Sequence, residues 1–188
     1  GYRYFKIFHD DYSDLRMIFK QKALNAAELI VNYTTVVATI FTQTGTSVNA
    51  LQADGGSDYM SIAFQSLLAT NGTLFQRCAP YKHAGNGTAE RDGRTIMEAA
   101  VAAQHTSGAP SQFFSYAVTC VVQTKNRTPR ADNKIPWTLA FGSLPPNTSF
   151  LPFGCLVYSA VPAVLRRTDH IRYQKCAYLG LAPGTKQS

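Results

Sequence analysis

The chain has 188 residues, 45% hydrophobic and 12% aromatic against 15% charged, which supplies a packed core and excludes collagenous, low-complexity and disordered classes. Eighteen Lys and Arg oppose eleven Asp and Glu, and the resulting net charge of +7 favours an anionic partner such as nucleic acid. The longest apolar stretch, Ala23 to Phe41, is broken by Asn25, Glu28, Asn32 and several Thr, so no membrane span and no membrane partner is expected.

Gly1 to Asp10 has no charged segment followed by an apolar one, so it does not read as a signal peptide. Cys78, Cys120, Cys155 and Cys176 are too sparse for a zinc module or a disulfide scaffold, and read as reduced thiols of an intracellular protein. Five N-x-[ST] sequons, at Asn32, Asn71, Asn86, Asn126 and Asn147, read as chance matches to a short motif in a Thr- and Asn-rich chain.

Tyr2 to His9 and Asp14 to Lys20 mix aromatic or aliphatic residues with basic ones around Asp10, Asp11 and Ser13, and predict a strand hairpin. Gln21 to Gln43 places Leu24, Ala27, Val31, Thr34, Val37 and Phe41 at helical spacing, although its second half is β-branched. Thr46 to Ala53 predicts a strand running into Asp54-Gly55-Gly56, and Ser57 or Asp58 is the expected cap of a helix ending at Asn71-Gly72. Thr73 to Ala79 is a further strand and Pro80 to Gly87 a loop. Thr88 is the expected cap of a helix reaching about His105, and Pro110 opens another to about Lys125. This order predicts an α/β domain around a mixed sheet.

Asn126 to Lys134 is polar and basic and reads as a linker, and Ile135 to Phe141 as one helical turn. Phe153 to Val161 and Tyr173 to Leu179 are short β-type runs flanking Arg166-Arg167, with a turn at Ala182-Pro183-Gly184. The expected division is a core over 1–125, a linker over 126–149 and a small β unit over 150–188.

Two carboxylates occupy distinctive places. Asp54 ends a strand, where α/β sheets present side chains to their ligand crevice, and Glu90 lies in the first turn of a helix. Such a pair can hold a divalent metal. Structural roles are open to both: Asp-Gly is a common turn dipeptide, and an acidic first turn suits the helix dipole. His9, His83, His105 and His170 share no ligand spacing, and no phosphate-binding glycine loop or serine-hydrolase motif occurs.

Five stretches in order, YFKIFHDDYSD (Tyr4 to Asp14), LQADGGSDY (Leu51 to Tyr59), APYKHAGNGTAERDGRTIMEAA (Ala79 to Ala100), FGCLVY (Phe153 to Tyr158) and KCAYLGLAPGTK (Lys175 to Lys186), resemble the integrase region of copia-type LTR retrotransposon polyproteins. The resemblance covers nearly the whole chain. It implies a ribonuclease-H-like core, a mixed sheet flanked by helices, followed by part of an SH3-like β unit. It also implies an Asp, Asp, Glu triad with two Mg²⁺ or Mn²⁺ ions that trims and joins DNA ends.

Asp54 matches the second Asp and Glu90 the Glu, separated by 35 residues as is typical of integrases. The first Asp is expected on a strand upstream of Gly1, and Asp10 and Asp11 match the hairpin that follows it. The chain has Asp54-Gly55-Gly56-Ser57-Asp58-Tyr59 where the family commonly has DNGGEF. Lys82, Asn86, Arg91 and Arg94, with His83, are the candidate contacts to double-stranded DNA; Phe75 and Tyr81 could stack on bases or belong to the core. The resemblance further implies a nuclear location and work as a multimer. The alternative is a domesticated remnant that keeps the fold as a DNA-binding or protein-interaction element of a larger assembly.

Overall fold

The computed structural model describes residues 2–78, 87–146, 151–162, 164 and 172–181. Of the expected loop Pro80 to Gly87, residues 80–86 lie outside them and Gly87 already belongs to a helix, and Arg166-Arg167 and the turn at Ala182-Pro183-Gly184 also lie outside. The chain divides into two compact units, Gly1–Thr95 with Lys125–Pro145, and Ile96–Thr124 with Pro146–Ser188.

In the first unit β1 (Tyr4–His9) pairs antiparallel with β2 (Arg16–Gln21), from Tyr4 opposite Gln21 to His9 opposite Arg16. The connection is set by Asp10, whose carboxylate accepts from the Ser13 amide at 2.9 Å and the Ser13 hydroxyl at 2.5 Å. Asp10 thus serves the turn, as an Asx residue does.

Helix α1 (Ala26–Thr44) starts at Asn25, whose side chain accepts from the Glu28 amide at 2.8 Å, and stops at Gly45, whose left-handed φ of 70° suits glycine. Its β-branched second half stays helical while Thr35, Thr39 and Thr44 donate their hydroxyls to the carbonyls four residues back. Leu29, Asn32, Tyr33 and Val36 form its buried stripe.

Strand β3 (Ala50–Ala53) runs parallel to β4 (Leu74–Arg77), with α2 (Ile62–Thr70) as the crossover. Leu29, Tyr33, Phe64 and Leu68 are the heart of the core, and Phe8, Leu51, Tyr59 and Phe75 pack around them. Phe75 is therefore a core residue, stacked on Tyr59 with ring centroids 6.3 Å apart. The Tyr33 hydroxyl donates to Thr73 Oγ1 at 2.7 Å, and Thr73 passes its own proton to the Val48 carbonyl at 2.9 Å. The cap of α2 is Ser61, which accepts from the Phe64 amide, in place of the expected Ser57 or Asp58. Residues 57–60 form turns instead, and Asp58 is engaged elsewhere.

Among the described residues the two ladders are separate two-stranded sheets, so the mixed sheet expected from the sequence is divided. Helix α3 (Gly87–Ser107) begins one residue before the expected cap, Thr88. A 3₁₀ turn (Ser111–Phe113) then leads into α4 (Phe114–Arg127).

Asn126, expected to open a linker, is instead buried in the last turn of α4. Its side chain accepts from the Arg16 amide at 2.9 Å and donates to the Arg16 carbonyl at 2.7 Å, so it takes the place of a strand partner at the start of β2. Asn32 and Asn126 are both buried within helices, unlike the surface loops that serve as glycosylation acceptors. Helix α5 (Pro136–Phe141) packs on α1, with Arg127 over the Trp137 ring at 4.9 Å.

In the second unit β5 (Leu156–Ala160) pairs antiparallel with β6 (Tyr173–Ala177). Gln123 of α4 exchanges two hydrogen bonds with the backbone of Leu181, at 2.9 and 3.0 Å. The four cysteines are free thiols, and only Cys120 is buried. No helix among the described residues is long and apolar enough to cross a membrane.

Candidate active site

Asp54 follows the last residue of β3, at the carboxyl end of the parallel β3–β4 ladder, and is exposed. That is where parallel strands open into a ligand crevice. Among the described residues its Oδ1 accepts only a long bond from the Gly56 amide, 3.4 Å. Arg77, opposite Ala53 on β4, lays its guanidinium against Gly55, where any side chain would displace it. A Cβ on Gly56 would lie 2.9 Å from Asp58 Oδ1 and 3.3 Å from Asp54 Oδ1, so both carboxylates flank this glycine.

Lys6 reaches this loop from β1. Its Nζ donates to Asp58 Oδ2 at 3.1 Å and to the Tyr59 hydroxyl at 3.2 Å, and sits 4.4 Å from the Tyr59 ring centroid. Both partners of the ion pair are 15% exposed. Burial alone would lower the Lys6 pKa, but Tyr59 and Asp58 beside it raise it above the ordinary lysine value. Burial is the main cause of the raised Tyr59 pKa, with nearby Lys6 opposing it.

Glu90 stands in the first turn of α3 and is exposed. Asp92, two residues on, bonds Arg16 Nε at 2.6 Å, with the two side chains 9% and 8% exposed. Arg16 also donates to Asp14 Oδ1 at 2.9 Å and to the Asp14 carbonyl at 2.8 Å, and Asp14 in turn contacts His9 at 2.7 Å. A residue two positions from Asp92 points about 200° away around the helix, so this buried pair turns Glu90 outward. Arg91 and Arg94 are exposed on the same helix. Lys82, Asn86, His83 and Tyr81 lie outside the described residues.

Asp54 and Glu90 belong to the same compact unit, and no cation among the described residues forms an ion pair with either. Uncommitted carboxylates are hard oxygen donors that suit Mg²⁺ or Mn²⁺. No group of three or more His, Cys, Asp or Glu that could hold a metal is gathered among the described residues. Asp10 is committed to its turn, and Asp11 lies 3.6 Å from His9 at 85% exposure. Sequence reasoning passed over Lys6 and the Arg16–Asp92 pair, and read Asp58 as a helix cap. The basic residue interrupting an otherwise apolar β1 was the one available signal.

No protein-family model matches the chain. It is 26% identical over 184 residues to the retrovirus-related Pol polyprotein from transposon RE2 of Arabidopsis thaliana, covering 96% of this chain and 12% of that polyprotein. It is 25% identical over 182 residues to the corresponding polyprotein from transposon TNT 1-94 of Nicotiana tabacum, covering 96% of this chain and 14% of the relative. A truncated transposon Ty1-A Gag-Pol polyprotein of Saccharomyces cerevisiae is 26% identical over 153 residues, 80% of this chain and 13% of the relative. The chain thus spans a small fraction of the curated relatives it matches.

Among solved structures, the simian T-cell lymphotropic virus intasome in complex with PP2A regulatory subunit B56 gamma superposes with a TM-score of 0.63 at 18% identity, over 90% of this chain and 59% of that one. The catalytic core domain of BIV integrase gives 0.59 at 14%, over 73% and 85%. The HTLV-2 integrase catalytic core in complex with magnesium, in a trimeric form, gives 0.57 at 15%, over 71% and 82%. The chain is similar in sequence to retrotransposon Pol polyproteins, and its fold is that of a retroviral integrase catalytic core.

Proposed function

We propose that the chain is the integrase core of a copia-type retrotransposon polyprotein, a polynucleotidyl transferase that trims DNA 3′ ends and joins them to target DNA. The observation that carries this reading is the placement of Asp54, exposed and uncommitted at the end of a parallel strand, within a fold of the integrase type.

Asp54 and Glu90 are two of three acidic ligands, and the third is expected on a strand upstream of Gly1. Divalent ions bound there would supply Lewis-acid stabilisation of the attacking and leaving oxygens. Asp54 and Glu90 would hold and orient them as hard oxygen donors. Lys82, Asn86, Arg91 and Arg94 would neutralise phosphates, in keeping with the net charge of +7. Nuclear action as a multimer on double-stranded DNA completes the reading. Its multimeric part is supported by the dimeric and trimeric forms of the HTLV-2 core.

The test is a Mg²⁺- or Mn²⁺-dependent end-processing and joining assay on the 188-residue chain beside a version extended upstream through the family's first Asp. The extended form should join ends, the short form should not, and Glu90→Gln should silence the extended form. Joining by the short form would place the third ligand elsewhere. An extended form that is inert yet binds a protein partner tightly would favour the domesticated remnant.

A further inference from the structure

The loop after β3 carries two carboxylates but leaves only one of them uncommitted. Asp54 Oδ1 and Asp58 Oδ1 both approach the same point beside Gly56, where a methyl group would meet each of them. Two carboxylates so placed, both free, could chelate a divalent cation by themselves and draw it away from Glu90. Lys6 compensates the charge of Asp58 through its other oxygen: its ammonium donates to Asp58 Oδ2 at 3.1 Å and to the Tyr59 hydroxyl at 3.2 Å, and lies over the Tyr59 ring. The ion pair is largely buried, and Tyr59 is anchored in turn against Phe64 and Phe75. Lys6 comes from a different strand, 52 residues away, so the contact ties the loop to the hairpin.

We propose that Lys6 is a positioning residue for the metal centre, neutralising and withholding Asp58 so that Asp54 is the loop's one metal-binding carboxylate. This rests on the metal reading of Asp54 given above. It also gives variants of the same ion pair opposite signs. Lys6→Met keeps an unbranched apolar stem, removes the nearby positive charge and releases Asp58, so Mn²⁺ affinity should rise by about tenfold. Asp58→Asn leaves the Lys6 ammonium uncompensated beside the loop that carries Asp54, so affinity should fall by about tenfold. Lys6→Arg should restore wild-type affinity, and Lys6→Met combined with Asp58→Asn should lose the gain.

The experiment is titration of the 188-residue chain and these variants with Mn²⁺, reading free ion by electron paramagnetic resonance, with circular dichroism confirming the fold. Loss of structure alone would weaken binding in both single variants, and opposite signs would not result. If binding depends on Asp54, as judged with Asp54→Asn, but Lys6→Met leaves it unchanged or weaker in a folded protein, the role of Lys6 is overturned while the metal reading stands. If Asp54→Asn leaves binding intact in every background, the metal reading itself fails, and this role of Lys6 with it.

Discussion

Replacing Asp92 by Asn should be among the more costly single changes on the hairpin side of the first unit. Asp92 and Arg16 are 9% and 8% exposed and bonded at 2.6 Å, so the change keeps the shape and removes a buried countercharge. Breaking a buried ion pair from one side costs roughly 3–5 kcal/mol. Arg16 keeps Asp14 at 2.9 Å, which puts the expected loss at the lower end, about 3 kcal/mol. Trp137 is the sole tryptophan and lies in the same unit, so its fluorescence reports this unfolding directly. With a urea dependence of about 2 kcal/mol per molar, the midpoint should drop by about 1.5 M. Replacing both partners with apolar residues, Arg16→Met and Asp92→Leu, should recover much of the loss, because neither charge is then stranded. A change below about 0.5 kcal/mol in Asp92→Asn would refute the claim that it removes a buried countercharge of Arg16.

Gly56→Ala should displace the Asp54 and Asp58 carboxylates and weaken Mn²⁺ binding with little change in stability, measured by titration beside thermal denaturation. Burial raises the Tyr33 pKa against the opposing bond to Thr73, so the neutral phenol is favoured in the fold. Its contribution is full below the unfolded value of about 10 and is lost as pH rises through the folded one. Alkaline denaturation curves should therefore show stability falling above about pH 10. Tyr33→Phe should flatten that fall while costing about 1 kcal/mol at neutral pH. Binding to a DNA duplex should weaken steeply with salt. With about three phosphate contacts the loss between roughly 50 and 200 mM is about 40-fold by fluorescence anisotropy, and Arg91→Ala or Arg94→Ala should each reduce the logarithmic slope by about one.

What the sequence disclosed was local. The hairpin over 2–20, the helical period over 21–43, the strand into Asp54 and the helix end at Asn71-Gly72 all rest on periodicity or on single-residue conformational preferences. They recur in the structure within a few residues. What stayed hidden depends on partners far apart in the chain. Asn126 read as part of a linker because its partner, Arg16, is 110 residues away, and Asp92 went unnoticed because the same Arg16 is 76 residues away. Asp58 looked like a helix cap because nothing local shows that Lys6 engages it. Side-chain pairs of this kind leave no period to detect. The carboxylates of the candidate site were legible because strand ends and helix starts are local features, together with the resemblance that gives their 35-residue separation a meaning.

The central claim is that Asp54 and Glu90 hold one divalent centre. A double-mutant cycle of Mn²⁺ affinity on the 188-residue chain, using Asp54→Asn, Glu90→Gln and the pair, tests it most directly. Shared ligation predicts that each single change removes most of the binding and that the double change costs little more than either alone. Additive losses, or Mn²⁺ binding untouched by Glu90→Gln, would contradict it.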